Sequence, residues 1–113
     1  MKTYSIREVL ENIGQMPETW FYLPATTWTL DTKGAFSLDS WDFPPDSTDY
    51  LPPQVASEGW KASLDKASIE DVISNLDQQL PNPTIYEYFE AFKFYFENDA
   101  FISSVAIDFS ASR

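Results

Sequence analysis

Residues 60–80, WKASLDKASIEDVISNLDQQL, change hydrophobic period part way along and so decide the fold class. Through Trp60, Lys61, Ala62, Ser63 and Leu64 apolar and polar side chains alternate, the period-two pattern of a half-buried strand. From Ser68 the period lengthens. Ile69, Val72, Ile73, Leu76 and Leu80 recur at helical spacing and share one face. Ser68 with Asp71 predicts the start of that helix; Pro81 and Pro83 predict its end. A strand feeding an amphipathic helix argues for a sheet with helices packed on it.

Working outward, Thr84 with Glu87 forms a capping-box pattern and predicts a third helix to about Glu97. Ile85, Tyr88, Phe89, Phe92 and Phe96 fall on its core face. Tyr86, Glu90, Lys93 and Glu97 fall on the opposite face, where the charges can pair, and Asn98 is the expected left-handed cap. Upstream, Ser5 with Glu8 predicts another capping box, opening a first helix that carries Ile6, Val9, Leu10 and Ile13. Gly14 is its expected stop, and Pro17 prevents resumption. Residues 20–23, WFYL, form a short β-like run ended by Pro24. Residues 27–30 and 35–38 flank Asp31, Thr32, Lys33 and Gly34, which predicts a hairpin. Gly34 would take a positive φ there, with Trp28, Leu30, Phe36 and Leu38 on one face. Residues 54–58 suggest one helical turn closed by Gly59. Within 103–113, Val105, Ile107 and Phe109 alternate with polar residues, a pattern that leaves a terminal strand and a loose tail both open. The expected fold is α+β: a single domain over residues 1–113, with a small, mainly antiparallel sheet and about three helices.

Hydrophobic residues make up 43% of the 113 and aromatics 17%, enough for a core that needs neither metal nor disulfide. Cysteine and histidine are both absent. That removes the usual zinc and iron–sulfur ligand sets, thiol chemistry and Ser-His-Asp catalysis. It also removes any disulfide framework, so a reducing cytoplasm fits. The opening MKTYSIREVLENIG carries charges inside its apolar pattern, and no signal peptide is expected. No apolar run is long enough to span a membrane.

The net charge is −11. A chain of this charge repels nucleic-acid backbones and anionic membranes; a basic partner is its complement. The acids are unevenly placed. Residues 34–60 hold five of them (Asp39, Asp42, Asp46, Asp49 and Glu58) and no lysine or arginine. Trp41, Phe43 and Tyr50 lie among them, and proline pairs at 44–45 and 52–53 stiffen the loop over 39–53. Rigid aromatics anchor interfaces and carboxylates steer partners. Asp39, Trp41, Asp42, Phe43, Asp46, Asp49, Tyr50 and Glu58 are therefore the candidate partner-binding residues. A solvated loop whose aromatics fold back to the core explains the same pattern. Residues 67–92 repeat the asymmetry, with Glu70, Asp71, Asp77, Glu87 and Glu90 and no base. Acids at helix N-termini account for Glu70, Asp71 and Glu87 but not for the other two.

Catalysis finds little support. An EF-hand starting at Asp39 would need glycine at Pro44 and glutamate at Tyr50. Three glycines in the whole chain leave no phosphate-cradling loop. Paired carboxylates for glycoside cleavage occur in any acidic protein and specify nothing. No enzyme activity and no cofactor are expected.

In size, charge, lack of cysteine and aromatic–acidic surface, the chain resembles the small acidic immunity proteins of bacterial contact-dependent inhibition and polymorphic toxin systems. The resemblance is carried best by EGWKASLDKASIEDVISNLDQQLP (58–81) and YFEAFKFYFENDAFI (88–102). It implies a cytoplasmic, monomeric protein that neutralises a basic toxin domain. That target would be a nuclease acting on RNA or DNA, blocked at its active site or substrate groove. Direct binding to nucleic acid or membrane is not expected. Two alternatives stay open: a DNA-mimicking, anti-restriction protein, and a small metal-binding domain.

Overall fold

The computed structural model describes residues 3–37 and 53–103. Within them the fold is α+β, with a four-stranded antiparallel sheet and helices against it. The strands are β1 (Tyr4–Ser5), β2 (Trp20–Leu23), β3 (Lys33–Phe36) and β4 (Lys61–Asp65), in the order β1-β3-β2-β4. The helices are α1 (Ile6–Glu11), α2 (Pro53–Glu58), α3 (Lys66–Gln79) and α4 (Ile85–Asn98), and a 3-10 turn (Ile13–Gln15) follows α1. The three longer helical patterns expected from sequence and the single turn before Gly59 are all present. Gly59 closes α2 at φ 68°.

Strand β2 lies at the centre. Phe21 pairs with Phe36 and Tyr22 with Ala35 on one side; on the other, Leu23 pairs with Lys61 and Trp20 with Asp65 across a bulge. Alternation along β2 buries Phe21 and Leu23 and leaves Trp20 exposed. The core forms where Phe21, Leu23, Phe36 and Leu64 meet Ile6, Val9, Ile69, Val72, Leu76, Phe89 and Phe92 from the helices. Burial of such side chains contributes roughly 1.5–3 kcal/mol each before entropy is counted.

The capping boxes of α1 and α4 form as expected. Ser5 Oγ accepts from Glu8 N and Thr84 Oγ1 from Glu87 N, and each glutamate reaches back to the cap amide. Helix α3 starts earlier than Ser68 suggests: Asp65 is the cap, and its carboxylate accepts from the Ser68 amide. Helix α1 ends at Glu11, with Asn12 as its cap, rather than at Gly14. In α4 the left-handed cap is Asp99, φ 52°, one residue beyond Asn98.

The hairpin expected over 27–38 does not form. Residues 33–36 pair with β1 and β2 instead, while 24–32 make an irregular turn. Two causes are visible. The free amides at the start of α1 take the carbonyls of this segment, Ile6 N donating to Thr32 O and Arg7 N to Leu30 O, each at 3.0 Å. Threonine hydroxyls also hold the turn, Thr32 Oγ1 accepting from Thr29 N and Thr29 Oγ1 from Asp31 N. Gly34 therefore sits inside a strand at negative φ; its role is close approach, because a Cβ there would lie 2.5 Å from the Tyr22 carbonyl oxygen.

Along α4, Phe89 and Phe92 are buried, and Ile85 and Tyr88 are half-buried against the core. Phe96 departs from expectation: it is 43% exposed and rests on Trp28, ring centroids 4.8 Å apart. Leu38 and the alternating segment 105–109 lie outside the described residues.

Candidate interaction surface

Helix α3 buries Ile69, Val72 and Leu76 and turns its other side to solvent. Glu70, Asp71, Ser74, Asp77 and Gln78 are exposed along that side. The base-free segment 67–92 therefore folds into α3, the short connection and the first half of α4, two helices packed side by side. Ion pairs among the described residues join Lys33 to Glu8 (3.3 Å), Lys66 to Glu18 (3.9 Å) and Lys93 to Glu90 (3.0 Å). Such surface pairs stabilise little. Glu11, Glu58, Glu70, Asp71, Glu97 and Asp99 are exposed and have no basic partner among the described residues. The surface keeps an uncompensated negative field, the kind that accelerates encounter with a basic molecule.

Where α3 meets α4, the Tyr88 hydroxyl donates to the Asp77 carboxylate. Burial of the ring raises the phenol most, followed by the Asp77 hydrogen bond and charge and then by Glu87, and together they push Tyr88 up to about 12. The phenol stays protonated at ordinary pH and holds Asp77 in place. Glu8 moves the other way: the Ser5 amide first, then the Lys33 ammonium, hold its carboxyl below the usual range.

A second feature lies between the start of α1, the 28–31 turn and the start of α4. Arg7, Trp28, Thr29, Leu30, Asp31, Tyr86 and Phe89 line an open groove of about 280 Å³. Trp28 is fixed by its indole N–H donating to Pro24 O at 3.0 Å and by contact with Phe92. Phe89 forms part of the core, whereas Tyr86 is 65% exposed.

Of the candidate partner-binding residues, Asp39, Trp41, Asp42, Phe43, Asp46, Asp49 and Tyr50 lie outside the described residues. Glu58 is the last residue of α2 and is exposed. The structure thus adds the groove, which sequence reasoning missed. The available signal was Tyr86, a large aromatic on a helix face otherwise made of charges. Among the described residues no group of three or more acids is arranged to hold a metal ion, and no helix is long and apolar enough to cross a membrane.

These features define a small α+β domain with an acidic helical face and an aromatic groove. Residues 3–104 match the family model described as a domain of unknown function, DUF7716, and the chain belongs to that family. No curated protein and no solved structure matches the chain.

Proposed function

We propose that this protein is a cytoplasmic inhibitor of the immunity type, which binds a basic toxin domain and blocks its active site or substrate groove. The target class is a nuclease, because a surface that grips phosphate backbones is basic and accepts carboxylates in their place. The observation that supports this most is the exposed acidic side of α3, with no lysine or arginine from residue 67 to residue 92. Glu58 extends the same sign of charge onto α2. The protein acts by occupying its partner, as a monomer, without cofactor and without chemistry of its own. The loop acids Asp39, Asp42, Asp46 and Asp49 add to the steering charge, and Trp41, Phe43 and Tyr50 supply anchors.

Affinity capture from the producing strain, followed by mass spectrometry, tests the reading. It predicts one basic protein at stoichiometric yield, retained at moderate salt. A spread of nucleic-acid-binding proteins, all released as salt rises, would instead identify a DNA mimic. Failure to retain any basic protein would contradict both.

A further inference from the structure

Arg7 and Asp31 carry opposite charges into the same groove without neutralising each other. Among the described residues neither Arg7's guanidinium nor Asp31's carboxylate has an ion-pair or side-chain hydrogen-bond partner. Lys33, Lys66 and Lys93 each pair with an acid. Among the described bases Arg7 and Lys61 do not; Lys61 is exposed, whereas Arg7 is half-buried. The same groove is lined by the aromatic residues Trp28, Tyr86 and Phe89. Two of these are held by the fold: Trp28 by its bond to Pro24 O and Phe89 by the core. Tyr86 stands out as a free wall.

We infer that this groove is a docking site for a short peptide segment of a partner protein, one that presents an aromatic side chain flanked by an acid and a base. The inference rests on the reading of this chain as a protein-binding domain and specifies how the partner is held in register. The charge complementarity is twofold. The acid of the segment meets Arg7, whose planar guanidinium binds carboxylates in a fork. The base meets Asp31. The aromatic ring of the segment enters the groove, edge-on or offset against Trp28 and Tyr86. The volume of about 280 Å³ suits one large side chain, not a folded domain. Acids elsewhere set the encounter rate; the groove, with charges of both signs, sets orientation.

The test needs no knowledge of the partner. Capped tripeptides Asp-Phe-Lys and Lys-Phe-Asp, N-acetylated and C-amidated, are titrated into isotope-labelled protein and followed by NMR. The neutral analogue Asn-Phe-Gln and free phenylalanine serve as controls. At least one charged peptide is expected to shift the Trp28 indole N–H and the amides of Thr29, Leu30 and Asp31. The neutral analogue should bind several-fold more weakly. Arg7→Gln and Tyr86→Ala, each checked for an unchanged spectrum outside the groove, should each weaken the charged peptide at least several-fold. Shifts scattered over the surface, or no shift at all, would overturn the inference. Free phenylalanine binding as tightly as the peptides would overturn it in favour of a small-molecule site. A captured basic partner whose affinity ignores both variants would leave the inhibitor reading standing and remove the groove from it.

Discussion

Tyr88 on α4 and Asp77 on α3 are joined by a hydrogen bond from phenol to carboxylate across the interface between the two helices. Because the phenol is raised to about 12 in the folded protein, it keeps its proton while an unfolded tyrosine, near 10, loses it. The stabilising contribution is therefore complete below pH 10 and is lost as pH rises through about 12. Spectrophotometric titration of the phenolate should show one tyrosine ionising late. In Asp77→Asn that tyrosine should ionise earlier, though still above an exposed tyrosine, because burial is the larger cause.

Gly34 and Gly14 make opposite predictions for the same substitution. A Cβ at Gly34 would meet the Tyr22 carbonyl at 2.5 Å and the Leu23 and Phe21 side chains at 2.7 Å, in the middle of the sheet. Gly34→Ala should destabilise by about 1–3 kcal/mol or more, the usual cost of overpacking. Gly14 has nothing within 4 Å and no positive φ. Gly14→Ala should be neutral or stabilise by up to about 1 kcal/mol, through reduced freedom of the unfolded chain. Urea denaturation of the two variants decides between them.

The caps give a third prediction. Ser5→Ala and Thr84→Ala should each cost about 1 kcal/mol, measured by the same denaturation. Glu8 adds a pH signature. Its folded value lies below the ordinary 4.5, so its contribution is present above that value and is lost as pH falls through the depressed one. Lys33→Gln should narrow that acid window by removing one of the two main causes.

How much of this was legible in the sequence depends on the range of the interactions. The capping boxes at Ser5 and Thr84, the β2 run and the α3 apolar stripe are set within a few residues, and they read correctly. The 27–32 segment did not, because the Leu30 and Thr32 carbonyls go to α1 amides more than twenty residues away. Gly34 was seen as a turn glycine, since a requirement for strand-to-strand closeness leaves no local trace. The cap of α3 lies three residues earlier than expected: Asp65 and Ser68 are both good cap residues, and only the fold chooses between them. The groove was hidden for the same reason as the hairpin error, since Arg7, Asp31 and Tyr86 converge from three separated segments.

The acids of residues 39–49 carry a binding prediction. Replacing Asp42, Asp46 and Asp49 together with asparagine should leave the thermal unfolding transition in place. If the proposed inhibitor reading holds, association with the captured basic protein should slow by about tenfold at low salt, with the difference fading as salt rises. Stopped-flow association at several ionic strengths reads this directly. Unchanged rates and salt dependence would exclude these acids from the interface.

Inhibition of a nuclease is tested by one titration. The captured basic protein is assayed for RNA and DNA cleavage while this chain is added to saturation. Nuclease activity should fall linearly and vanish at one equivalent. A saturated complex that cleaves as fast as the free partner, or a partner with no nuclease activity, would contradict it.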